Sequence, residues 1–282
     1  VFETVVSVDE LARHLNDPGW VVIDCRHMLQ DFGAGRRLYD AVHIPGAFFA
    51  SVEDDLSGTK TGTNGRHPLP DPEKFAAFLR ELGVNENTQI VAYDAGADMF
   101  AARLWFLVHY IGHDAVAVLD GGFNAWAGTG KPVTTQEPQR PRNGTIQARL
   151  RHEKAVDVDA VIESLENQTF TLLDARGPDR FAGKNETVDP IGGHIPGAIN
   201  RPFRSNFTGP LGTLKCPEQL RQEFKELGVP PEQVVHQCGS GVSAAVNYLA
   251  MKHAGLQGHR LYPGSWSEWC ADRSRPMVTA ES

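Results

Sequence analysis

The sequence has little cysteine: Cys25, Cys216, Cys238 and Cys270 are the only four in 282 residues, and no Cys-x-x-Cys pair occurs. That spacing argues against a zinc site or a disulfide framework and for a reducing compartment, which we take to be the cytoplasm. No apolar run approaches the roughly 18 residues of a membrane-crossing helix, so no membrane is expected as a partner. No signal peptide is visible, although the chain begins with valine, which leaves a removed leader open. Basic charge is also short, with 27 Lys and Arg against 35 Asp and Glu and a net charge of −8. A general nucleic-acid binder needs a basic face, so that class is set aside, though a local basic pocket for a small anion is not. The remaining composition, 41% hydrophobic and 22% charged, is ordinary for a globular protein long enough for two domains. No metal or organic cofactor is implied.

Along the chain, short apolar runs alternate with helical patterns. Ser7-Val8-Asp9-Glu10 reads as a capping box before a helix, and Trp20 to Asp24 as a buried strand. A loop from Ser51 to Pro70, rich in Gly, Thr, Asp and Asn, carries little secondary structure; loops of such length are usually functional or mobile. Asp71-Pro72-Glu73 opens a further helix, Gln89 to Tyr93 is a strand, and Ala115 to Leu119 another. The second half repeats this order. Thr171 to Arg176 answers Val22 to Arg26, His194-Ile195-Pro196-Gly197-Ala198 repeats His43-Ile44-Pro45-Gly46-Ala47, and Trp269 answers Trp126, at separations of roughly 145–150 residues. A period of that size is a duplicated domain. Residues 1–133 form the first copy and 152–282 the second, with 134–151, containing Pro138, Pro141, Asn143 and Gly144, read as the linker. Alternating strands and helices predict an α/β fold, each domain with a mainly parallel central sheet flanked by helices.

The two copies differ at one informative place. His236-Gln237-Cys238-Gly239-Ser240-Gly241-Val242-Ser243-Ala244 joins the apolar strand at Val234-Val235 to a helix, and the first copy aligns Asp94 with Cys238. A lone cysteine at a strand end is ordinarily a small packing thiol. Here the Gly-Ser-Gly that follows exposes backbone rather than packing it, so main-chain N–H groups turn inward and the next helix adds its positive end. Such a cradle can lower a cysteine pKa from about 8.5 to roughly 3.5–7.5, which makes Cys238 a candidate nucleophile. A phosphatase of similar plan needs an arginine where Ala244 stands. Cys25, Cys270 and the tryptophans Trp105, Trp126, Trp266 and Trp269 read as core.

These residues resemble the tandem rhodanese-like sulfurtransferases over essentially the whole chain. The resemblance rests on the paired His-Ile-Pro-Gly-Ala segments, Asp120-Gly121-Gly122-Phe123, Gly264 to Trp269, and the Cys238 loop. Cys-Gly-Ser-Gly-Val-Ser is similar to the loop of 3-mercaptopyruvate-using members, whereas thiosulfate-preferring ones carry Arg and Lys inside it. The resemblance implies an inactive first domain and a second that forms a persulfide on Cys238, with the donor and loop held by Gly239, Gly241, Val242 and Ser243. It implies that Ser240, aided by His67 and Glu53, handles the donor's thiol proton, and that Arg180 binds the donor's acidic group. The acceptor would be cyanide or a thiol such as thioredoxin. One departure stands out. Mercaptopyruvate-using members carry a second arginine in the region that is here Glu186-Thr187-Val188-Asp189-Pro190, and Lys184 is the nearest cation. Thiosulfate:cyanide transfer, or a non-catalytic sulfur relay, are the alternative expectations.

Overall fold

A computed structural model describes residues 1–139 and 142–279. The chain forms two compact units. One comprises Val1–Gly58, Leu69–Arg151 and Phe207–Leu214; the other comprises Thr59–Pro68, His152–Asn206 and Lys215–Ser282. This division differs from the split at 133 and 152 read from sequence, because two short segments are grouped with the unit of the other repeat. The stretch expected as a linker runs along the first unit: Gly144 N donates to Arg80 O, Arg149 N to Ile111 O, and Ile146 is 1% exposed. Pro141, counted in that linker, lies outside the described residues.

The first unit runs β1 (Val5–Val6), α1 (Val8–His14), β2 (Trp20–Asp24), α2 (Ala34–Ala41), β3 (Phe48–Phe49), α3 (Pro72–Glu81), β4 (Gln89–Tyr93), α4 (Phe100–Tyr110), β5 (Val116–Leu119) and α5 (Gly122–Gly128). Its five strands pair in the order β1-β5-β4-β2-β3, all parallel. The second continues with α6 (Val158–Asn167), β6 (Thr171–Asp174), α7 (Pro178–Phe181) and β7 (Ile199–Asn200). After the antiparallel ribbon of β8 (Phe207–Thr208) and β9 (Thr213–Leu214), which belongs to the first unit, come α8 (Pro217–Lys225), β10 (Val234–Gln237), α9 (Ala244–His253), β11 (Arg260–Leu261) and α10 (Ser265–Trp269). Its sheet runs β11-β10-β6-β7, again parallel, and a parallel bridge from Ala155 to Leu261 sits where β1 sits in the first.

Local chemistry explains these elements. Ser7 caps α1 by accepting from Glu10 N, and Asp71 caps α3 by accepting from Glu73 N and Lys74 N. Strands β4 and β10 are buried at every residue, as strands in parallel sheets covered on both faces are. Trp126 packs in the core of the first unit, Trp266 and Trp269 in that of the second, all 0% exposed.

The repeat extends to side-chain contacts. Asp24 takes the guanidinium of Arg26, and Asp174 that of Arg176, in matching buried pairs. His43 stacks on Tyr39 at 3.9 Å and His194 on Phe181 at 3.8 Å, while Gly46 and Gly197 take φ of 79° and 78°. The repeated His-Ile-Pro-Gly-Ala segments are therefore turn-forming packing units, with Ile44 and Ile195 in the two cores.

Candidate active site

The Cys238 loop leaves the carboxyl end of β10, beside β6 in the sheet, and feeds α9. Ligands of open parallel sheets gather at such strand ends. Gly241 has φ 75°, and a Cβ added there would lie 2.4 Å from Pro263 O, so only glycine fits. That turn points Gly241 N at the Cys238 sulfur at 3.1 Å, with Ser240 N at 3.5 Å. The loop is held from behind by residues that the sequence marked as a motif without a role at the site. Ser265, itself at φ 54°, accepts from Cys238 N at 3.1 Å and donates to Tyr262 O at 2.8 Å. Trp266 N donates to Cys238 O, and Ser267 N to Gly239 O. Gly264-Ser265-Trp266 was legible only as part of a motif; its task is to fix the backbone of the cradle.

The expected site residues distribute as follows. His67, carried by the first repeat in sequence, lies in the 59–68 segment grouped with the second unit, and its Nδ1 is 2.7 Å from Ser240 Oγ. Both residues are buried, which excludes water from that contact. Val242 and Ser243 are buried at the entry to α9, whose first turn follows them, and neither makes a hydrogen bond to the sulfur among the described residues. Glu53 belongs to the first unit, where its charge acts on His27. The structure thus gathers Cys238, Gly239, Ser240, Gly241, His67 and Arg180 within one unit, and Glu53 belongs to the other.

Arg180 is present at the loop, and a second guanidinium accompanies it. A Cβ on Gly239 would lie 2.8 Å from Arg66 Nη2 and 3.5 Å from Arg180 Nη2. Arg180 donates through Nε to Glu186 at 2.9 Å and through Nη2 to Asp189 at 2.9 Å. Arg66 donates through Nη1 to the other oxygen of Asp189, and its backbone N donates to Ser267 Oγ at 3.0 Å. Burial, and then the like charge of Arg180, lower the Arg66 guanidinium from its ordinary value, while Cys238 and Glu186 act in the opposite sense. The expected second arginine is indeed missing from 186–190, yet a cation reaches the loop from the residue preceding His67.

The first unit contains the same cradle with different contents. Asp94 Oδ1 accepts from Gly96 N and Oδ2 from Ala101 N, both at 3.0 Å. A carboxylate there takes the place of a sulfur, and burial raises its pKa. The other three cysteines stand outside this loop. Burial pushes the thiols of Cys25 and Cys270 up, which suits packing thiols, and Cys216 is exposed at the start of α8. Among the described residues no group of three His, Cys, Asp or Glu side chains is placed to hold a metal, and no helix is long and apolar enough to cross a membrane.

Comparison with known proteins agrees with this geometry. The rhodanese-like domain family matches residues 7–129 and 157–272. A probable 3-mercaptopyruvate sulfurtransferase of Pseudomonas aeruginosa is 42% identical, covering 98% of both chains. The thiosulfate sulfurtransferase of Cricetulus griseus is 33% identical over 95% of this chain and 92% of its own. Among solved structures, the 3-mercaptopyruvate sulfurtransferase of Leishmania major superposes with a TM-score of 0.85 at 30% identity, over 98% of this chain and 76% of its own. SseA from Escherichia coli, described as a 3-mercaptopyruvate sulfotransferase, gives 0.80 at 33% identity over 94% and 99%. With two family matches laid over two repeats, one bearing cysteine and the other aspartate in the same backbone cradle, the chain belongs to the rhodanese-like family as a tandem-domain sulfurtransferase.

Proposed function

We propose that this enzyme moves sulfur from 3-mercaptopyruvate to a thiol or cyanide acceptor through a persulfide on Cys238. The observation that carries the proposal is the convergence of Gly241 N and Ser240 N on the Cys238 sulfur, with Ser240 Oγ 2.7 Å from His67 Nδ1. Main-chain donors aimed at one atom stabilise a sulfur anion there without reorganisation. The Cys238 thiolate attacks the donor's sulfur as the thiol proton passes through Ser240 to His67. The carbon–sulfur bond breaks, its electron pair goes to carbon, and the proton returns to that carbon to give pyruvate. Cys238 is left as the persulfide anion, and charge is conserved. Attack by an acceptor thiolate on the outer sulfur then regenerates the Cys238 thiolate. Arg180 orients the donor's carboxylate, and Gly239, Val242 and Ser243 shape the loop around it. Cys238 is only 2% exposed, which suits a small donor and shields the persulfide from solvent.

Support for mercaptopyruvate comes from the loop, where Ser240 supplies the hydroxyl that a thiol donor uses, and from the 42% identical relative named for that donor. Thioredoxin is the acceptor class we favour, in the reducing cytoplasm. The test compares kcat/KM for 3-mercaptopyruvate and thiosulfate in the wild-type enzyme and looks by mass spectrometry for one added sulfur atom after donor treatment. Mercaptopyruvate is expected to be the better donor, and Cys238→Ser to be inactive and to carry no added sulfur. Faster turnover of thiosulfate would reassign the donor, and transfer persisting in Cys238→Ser would remove the nucleophile.

A further inference from the structure

The carboxylates around the two guanidiniums raise a question that donor binding alone does not answer. Asp189 falls nine residues after Arg180, in the region where a second donor-binding arginine was expected, so the charge there is reversed. Its side chain is 2% exposed and takes one guanidinium on each oxygen, Arg66 on Oδ1 and Arg180 on Oδ2. Glu186, 5% exposed at its side chain, takes Arg180 Nε with both oxygens and is itself fixed by the backbone N of Val188 and Asp189. Arg66 therefore uses Nη1 for Asp189, and Arg180 uses Nε and Nη2 for its two carboxylates. Arg66 Nη2 and Arg180 Nη1 remain on the Gly239 side of the cluster.

We infer that Arg66 and Arg180 form one clamp for the donor's acidic group, and that Asp189 sets the clamp's charge so that it accepts a singly charged donor and disfavours a doubly charged one. The inference rests on the sulfurtransferase reading above. Two guanidiniums and two carboxylates cancel, so the cluster offers directional N–H donors without net positive charge. A carboxylate-bearing mercapto acid brings one negative charge to it. Thiosulfate brings two, next to the anion that the Cys238 sulfur becomes. In a site this shielded from water the second charge has no counter-ion, and like charges at short range are strongly unfavourable. Cations inside the loop would remove that penalty, and residues 239–243 contain none. Arg66 thus restores the second guanidinium while Asp189 removes its net charge. Geometry for bidentate recognition is kept, and selectivity by charge is added.

The experiment uses the full chain with Asp189→Asn, which keeps the shape and removes the charge, and with Arg66→Ala. In Asp189→Asn the ratio of kcat/KM for thiosulfate to that for mercaptopyruvate should rise about tenfold or more. In Arg66→Ala the loss should fall on KM for mercaptopyruvate rather than on kcat. A second readout does not need turnover: protection of Cys238 from alkylation by iodoacetamide, with sulfate as the doubly charged probe and pyruvate as the singly charged one. Pyruvate should protect the wild type at lower concentration than sulfate, and Asp189→Asn should shift the preference toward sulfate. If wild-type enzyme ignored mercaptopyruvate, the donor reading would fail while the alkylation readout still decided the clamp. A thermal melt checks folding. Should Asp189→Asn not fold, Glu186→Gln removes a charge from the same guanidinium and is read in the same way. A donor ratio within about twofold of wild type, with unchanged sulfate protection, overturns the role of Asp189.

Discussion

The role proposed for Ser240 separates the two donors chemically. Mercaptopyruvate arrives with a thiol proton, and thiosulfate has none to give at neutral pH. In the proposed mechanism the Ser240 Oγ to His67 Nδ1 contact of 2.7 Å therefore serves one donor and not the other. Ser240→Ala should lower kcat for mercaptopyruvate about a hundredfold, in the range ordinary for losing proton handling, with a much smaller effect on thiosulfate. Steady-state kinetics with both donors check this. An equal loss on both would mean that the hydroxyl only supports the loop. Arg180→Ala tests the neighbouring role: KM for the donor should rise, and an unchanged KM would confine Arg180 to its pairs with Glu186 and Asp189.

At the scale of the element, the two repeats use the same helix entry with unequal success. Asp71 caps α3 with two backbone hydrogen bonds, whereas Cys216 occupies the equivalent place before α8 and makes no side-chain cap. Its backbone, at φ −61° and ψ 154°, is already that of a capping residue. Cys216→Asp should therefore raise stability by about 1 kcal/mol, and Asp71→Ala should lower it by a similar amount. Urea unfolding of the two variants reads both values. If Cys216→Asp left stability unchanged, the exposed N–H groups of α8 would be adequately served by water. The cradle loop is less forgiving. Gly241→Ala would need a left-handed backbone at an alanine and a Cβ 2.4 Å from a carbonyl oxygen, so that turn admits no side chain.

For the whole molecule, the buried titratable groups set how the fold answers acid. His236 lies in β10 two residues before Cys238, 0% exposed, and neither ring nitrogen has a hydrogen-bond partner among the described residues. Burial, then the charges of His259 and Arg201, hold its pKa well below the ordinary 6.5; its ring also meets those of His259 and Tyr248 at 5.1 and 5.7 Å. The unfolded chain thus binds a proton that the folded one refuses. The stability tied to His236 is present above about pH 6.5 and is lost as pH falls below it, by at most about 1.4 kcal/mol per pH unit. Burial raises the carboxyls of Asp94 and Asp55, which acts in the opposite sense at the lower pH where carboxyls titrate. Urea unfolding from about pH 7 to about pH 5 should show a fall that His236→Leu flattens. Parallel slopes in the two proteins would assign the fall to another group, such as His27 or His253, whose pKa values burial also lowers.

Much of this was written in short stretches of chain. Period and capping residues set α1, α3 and the parallel strands, because these depend on neighbours within a few positions. Gly-Ser-Gly after Cys238 announced an inward-facing loop for the same reason, and the repeat alone set Asp94 at the equivalent place in the first copy. Tertiary structure alone decided the rest. Arg66 and Asp189 are 123 positions apart, His67 and Ser240 173, and Ser265 lies 27 beyond the cysteine it supports. An arginine in a loop of Gly, Thr and Asn looks solvated until the fold shows which carboxylate it meets away from water. Charge pairing depends on distance and burial in space, and neither quantity is carried by the order of residues.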